Sequence, residues 1–171
     1  GLIELEDIAQ GNASLGTVFF GGDAGSGFSV SGAGDFNGDG FGDLLIGSNT
    51  RAVDELPGAA YLIYGSANGL GAAFDLDLLG TLNGDPGDGV AGFYMRGIDL
   101  GDGAGLVVNS AGDVNGDGYD DIIVAAPLAD HPAGRSAVGE YYVVFGRTDQ
   151  PAEINLETLD GTDGYAIRGI D

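Results

Sequence analysis

One oxygen-rich loop, written twice, constrains this chain more than any other feature. Residues 34–43 read GDFNGDGFGD and residues 112–121 read GDVNGDGYDD. Counted from the first aspartate, side-chain oxygens fall at positions one, three, five and nine. They belong to Asp35, Asn37, Asp39 and Asp43 in the first copy, and to Asp113, Asn115, Asp117 and Asp121 in the second. When such a loop curls, the main-chain carbonyl of position seven, Phe41 or Tyr119, joins them. Calcium takes six to eight oxygens from this mixture of carboxylate, amide and carbonyl donors, whereas magnesium keeps strict octahedra and several waters. The pattern therefore predicts two calcium sites. With no cysteine and a single histidine in the chain, zinc is a poor candidate. Carboxylates held about 4 Å apart repel by roughly 4 kcal/mol per pair at an effective dielectric near 20, a penalty that a bound cation removes. The expected role of the ion is to staple the loop.

An EF-hand shares the first half of this pattern but needs a bidentate Glu at position twelve and flanking helices. Position twelve is Ile46 in one loop and Val124 in the other, both inside apolar, β-branched runs.

The duplication extends past the loops. Residues 25–48 align without a gap on 103–126, 58–65 on 139–146, 74–85 on 154–164 and 93–99 on 165–171. Self-similarity at such a period marks stacked supersecondary units, none able to bury its core face alone. Each unit offers four short strands: FSVSGA or LVVNSA before the loop, LLIGS or IIVAA after it, then AAYLIYG or YYVVFG, then FYMRGI or YAIRGI. Gly, Pro and Asp clusters separate them, and no helical stripe persists beyond one turn. Four antiparallel strands per repeat is the blade of a β-propeller. Residues 2–23 align on the tail 154–171, so the expected division is the end of a preceding unit at 1–21, one blade at 22–99 and a second at 100–171. The fold expected is all-β: two four-stranded antiparallel blades plus an extra N-terminal strand, part of an incomplete or multi-chain propeller. That extra strand, residues 17–20, is expected to present an unpaired edge.

Charge narrows the partners. The chain carries 27 acidic residues against five basic ones, all arginine, for a formal charge of −22. Such a field repels phosphate backbones and anionic lipid, which argues against nucleic acid and membrane surfaces and favours divalent cations. No run approaches the roughly 20 apolar residues of a membrane span, and membrane insertion is not expected. The 35 glycines follow no collagen period and punctuate the strands instead.

With FSVSGAGDFNGDGFGDLLIGS and its twin in this repeat context, the chain resembles the FG-GAP repeat of integrin α-subunit propellers and of many bacterial extracellular proteins. The resemblance implies a blade whose calcium sits in the hairpin between its first two strands. It also implies a secreted or cell-surface protein, of bacterial type, engaged in adhesion or other protein contacts. The name-giving dipeptides have drifted: SGFSV and AGLVV stand near Phe-Gly, IGSNT replaces Gly-Ala-Pro, and VAAPLAD retains Ala-Pro.

Little supports catalysis. His131 stands alone in LADHPAGRS, with no second histidine or cysteine for a triad. Paired carboxylates of a glycosidase would be hidden among the turn aspartates; a substrate-sized cleft of convergent carboxylates would favour a polysaccharide-acting enzyme. Arg96 and Arg168, matched in RGID, are expected to pair with carboxylates. Tyr61, Tyr64, Tyr141 and Tyr142 are expected in blade packing. Asn12, in NAS, fits the glycosylation pattern. The leading expectation is a calcium-stabilised interaction module. The alternative is a subunit that self-associates through blade edges into a ring or fibre.

Overall fold

The computed structural model describes residues 5–22, 25–48, 57–81, 85–86, 89–130, 138–149 and 151–169. Among the described residues one helical turn, α1 (Leu5–Ala9), precedes thirteen strands. The first blade contains β2 (Ser26–Gly34), β3 (Asp43–Ser48), β4 (Ala59–Ile63) and β8 (Gly92–Arg96). The second contains β9 (Val107–Gly112), β10 (Asp121–Ala126), β11 (Glu140–Val144) and β13 (Gly164–Arg168). Each set pairs antiparallel in chain order, so the four strands expected of each repeat are the four observed. The architecture is that of β-propeller blades, and no sheet closes on itself among the described residues.

The remaining strands correct the sequence reading. β1 (Val18–Phe20) is not an unpaired edge. It pairs in parallel with β5 (Ala73–Asp75), Val18 opposite Ala73 and Phe20 opposite Asp75. β12 (Glu153–Asn155) does the same to β8, Glu153 opposite Tyr94 and Asn155 opposite Arg96. The segment between the third and fourth strands of each repeat thus crosses back to the fourth strand of the unit before it, and the first sheet has five strands in the order β12-β8-β4-β3-β2. After each crossing strand the chain turns through a short 3-10 helix, whose second residue's amide is held by the preceding Asx side chain. Asp77 N–H donates to Asp75 at 3.1 Å, and Glu157 N–H donates to Asn155 at 3.0 Å. Two short strands, β6 (Gly80–Thr81) and β7 (Asp85–Pro86), form a separate hairpin.

Alternation along the strands builds two cores. Leu45, Leu62, Phe93 and Met95 on one face of the first blade meet Val108, Ile122, Val124, Tyr142 and Val144 of the second, all buried. The opposite face of the first blade, with Ile46, Tyr61, Ile63 and Tyr94, is covered by Phe19, Leu70 and Phe74. Each large apolar side chain so buried contributes about 1.5–3 kcal/mol, which makes the blade-to-blade core the main tie between the repeats. Of the four tyrosines expected in packing, Tyr61, Tyr64 and Tyr142 are buried. Tyr141 is 49% exposed, because its face of β11 has no sheet against it among the described residues.

Tyr64 lies inside the blade-to-blade core with its hydroxyl unpartnered among the described residues, and burial pushes that hydroxyl well above its ordinary pKa. A buried polar group without a bond costs about 1–3 kcal/mol. The matched position in the second repeat is Phe145. Tyr64→Phe is therefore expected to raise the melting temperature by a few degrees in a thermal scan; a fall would show that the hydroxyl is satisfied by solvent.

Candidate metal centre

Each loop is the connection of a hairpin. Gly34 pairs with Asp43 at the mouth of the first, and Gly112 with Asp121 at the mouth of the second, both beside an irregularity in strand register. Within the first loop, Asp35 accepts from Asp39 N–H and Gly40 N–H, each at 3.0 Å. Asn37 accepts from Asp39 N–H at 3.1 Å and donates to the Asp39 carboxylate at 3.0 Å, and Asp39 accepts from Phe41 N–H at 2.9 Å. The second loop repeats these bonds with Asp113, Asn115, Asp117 and Tyr119, at 2.8–3.0 Å. Two copies of one pattern, differing in sequence at three of ten positions, fold to the same curl.

Position nine plays a different part. Asp43 and Asp121 are buried, and both oxygens of each accept main-chain N–H groups. Asp43 holds Phe36 and Gly65, at 2.9 and 2.8 Å. Asp121 holds Val114 and Gly146, both at 2.8 Å. Each therefore ties its loop to the end of the third strand. Burial pushes the Asp43 carboxyl up to about 6, against the pull of those two N–H groups.

The sequence grouped positions one, three, five and nine equally. The structure turns nine inward in both loops; one, three and five are exposed together in the second loop, whereas in the first Asn37 is buried as well and only Asp39 is fully exposed. No three acidic or imidazole side chains converge as a metal cluster among the described residues. The donor set nonetheless fits calcium: it is all oxygen, and a carboxylate oxygen that accepts one N–H keeps a second lone pair.

Residues 26–63 and 106–143 each match the FG-GAP repeat, and each match spans the first three strands of a blade with its loop. The chain carries two FG-GAP repeats. No curated protein matches the chain. FG-GAP repeats are a non-catalytic structural family, typical of extracellular or surface proteins. No helix of the described residues is long and apolar enough to cross a membrane.

A separate acidic cleft of about 600 Å³ lies between β13 and the second 3-10 turn, bordered by Asp99, Asp102, Asp130, Glu140, Glu157 and Arg168. Two of its groups are committed to structure. Arg168 Nε bonds Glu140 at 2.6 Å, and Glu140 accepts from the Tyr142 hydroxyl at 2.6 Å. The arginine pairing expected from sequence thus holds at Arg168. Arg96 instead stands opposite Ala59, where β4 offers no carboxylate. His131 lies outside the described residues, and Asn12 is exposed.

Burial pushes Asp102 up to about 6, helped by the charges of Asp99, Asp130 and Glu140. A carboxyl raised in the folded state keeps its proton between about pH 4 and 6, where the unfolded chain has lost it. Stability contributed this way is present below that window and lost as pH rises through it. In chelator, the melting temperature is expected to be higher at pH 5 than at pH 7; the opposite slope would show that these carboxyls are charged in the fold at pH 5.

Proposed function

We propose that this chain is a calcium-stabilised, extracellular β-propeller module that mediates protein contacts, with calcium in a structural role. The observation that carries the reading is the duplicated loop inside the FG-GAP repeats, with the same oxygen donors in the same hydrogen-bonded curl twice. Calcium would be held by Asp35, Asn37, Asp39, the Phe41 carbonyl and Asp43, and by Asp113, Asn115, Asp117, the Tyr119 carbonyl and Asp121. The bound ion would supply charge neutralisation to the loop; binding of a partner is the work of the blade surfaces. Calorimetric titration of the wild type is expected to give two calcium ions per chain, and Asp39→Ala and Asp117→Ala one each. Unchanged stoichiometry in both variants would overturn the site assignment.

A second observation favours contact through the outer face of the second blade. Tyr141, Tyr165 and Ile167 there are 49%, 39% and 49% exposed, whereas their counterparts Ala60, Phe93 and Met95 are fully buried against the next repeat. The edge of β13 has no strand on it among the described residues, whereas the matched edge of β8 carries β12. An apolar face beside an open edge is suited to another protein or a further copy of this chain. In light scattering, the wild type is expected to gain mass with concentration and Ile167→Asp to remain monomeric. A wild-type monomer at every concentration would remove self-association and leave other partners.

A further inference from the structure

The two loops differ at position eight: Gly42 in the first, Asp120 in the second. Asp120 reaches across to the first loop. Its carboxylate accepts from Asp35 N–H at 2.8 Å, and its own N–H donates to the Asp35 carbonyl at 3.3 Å. Asp35 is position one of the first loop, so a residue of the second loop grips a proposed ligand of the first from both sides of its main chain. Arg147 N–H adds a third bond, to the Phe36 carbonyl at 2.9 Å, from the residue following Gly146, which Asp121 holds.

The first loop is shaped to receive this contact. A Cβ on Gly34 would overlap the Asp120 carboxylate, and one on Gly38 would overlap the Tyr119 ring. At the matched Gly112 and Gly116 of the second loop nothing lies within 4 Å. The two loops are alike inside and unlike where they meet.

Resting on the calcium reading above, we propose that the loops bind calcium cooperatively, coupled through Asp120. Asp120 lies between the position-seven carbonyl and the position-nine carboxylate of the second loop. Closure of that loop on its ion fixes Asp120, and Asp120 fixes Asp35 in place for the first. Linkage makes the effect reciprocal: each loop strengthens the other by the same factor. Asp120 is a positioning residue, acting on the ion through Asp35.

The test is calorimetric calcium titration of the full chain. Asp117→Ala reports the first loop alone, and Asp39→Ala the second alone. In the wild type the product of the two stepwise association constants is expected to exceed the product of those isolated constants by about tenfold. Asp120→Ala is expected to bind two ions at the isolated affinities. Asp120→Asn, which keeps a carbonyl oxygen for Asp35 N–H, is expected to restore the coupling, an outcome that general damage to the fold would not produce. Two wild-type sites with affinities equal to the isolated loops would overturn the coupling and leave the calcium reading standing. A wild type that takes up no calcium would overturn both.

Discussion

Asp121→Ala is expected to lower the melting temperature by about 10 °C or more even in excess chelator. Its side chain is fully buried, and its two oxygens hold the N–H groups of Val114 and Gly146, each at 2.8 Å. Alanine takes the partner from both donors, the Gly146 N–H in a buried site and the Val114 N–H in a part-buried one. Hydrogen bonds to a charged group are worth roughly 1.5–3 kcal/mol each, so the loss is about 4 kcal/mol. For a chain of this size each kcal/mol moves the midpoint by about 2–4 °C. Asp117→Ala, on the exposed side of the same loop, is expected to melt within about 2 °C of wild type in chelator and to lose only the stabilisation conferred by calcium. Equal melting of Asp121→Ala and Asp117→Ala in chelator would show that position nine is no more than another ligand.

The second large effect is expected at Gly105, where the blades approach backbone to backbone. Gly105 has φ +83°, donates to the Ala125 carbonyl at 3.0 Å, and would drive a Cβ into the Ala59 carbonyl oxygen of the first blade. A left-handed backbone costs a residue with a Cβ roughly 1–2 kcal/mol, and overpacking against main chain that cannot swing aside adds about 1–3 kcal/mol. The repeat supplies its own control. Gly27, the matched residue of the first blade, has φ +86° and nothing within 4 Å of its Cβ position. Gly27→Ala is expected to show the backbone term alone, a shift of a few degrees, and Gly105→Ala at least twice that in the same thermal scans. Similar shifts in the two variants would mean that the blades do not meet at Gly105.

Much of this fold was legible because it is written twice. Aligning the copies set the four strands of each blade, since turn glycines and apolar runs recur in phase and a shift of one residue would expose a core face. The parallel crossings of β5 and β12 were not legible. AFD and EIN are too short to show alternation, and their partners lie in the preceding unit, which local pattern does not reveal. The same gap produced the expectation of a bare strand at residues 17–20, which β5 covers. At the loops, sequence spacing showed the order of the oxygens but not their directions: Asp43 and Asp121 look like any other aspartate until Gly65 and Gly146, two residues past the third strands, are seen to donate to them. Asp120 carried a signal that went unused, a carboxylate facing Gly42 in an otherwise matched register. Tyr141 was misplaced because matched third-strand positions do not have matched neighbours: Ala60 lies under the second blade, and Tyr141 has no blade against it among the described residues.

Thermal unfolding of the wild type in millimolar calcium and in excess chelator tests the central claim most directly. Two sites filled at a hundred times their dissociation constants stabilise by about 5 kcal/mol, which raises the midpoint by about 10–20 °C for a chain of this size. A calcium curve displaced upward by that amount, with the gap roughly halved in Asp39→Ala and in Asp117→Ala, is the result expected. Superimposed curves in calcium and chelator would contradict the proposal that calcium staples these repeats.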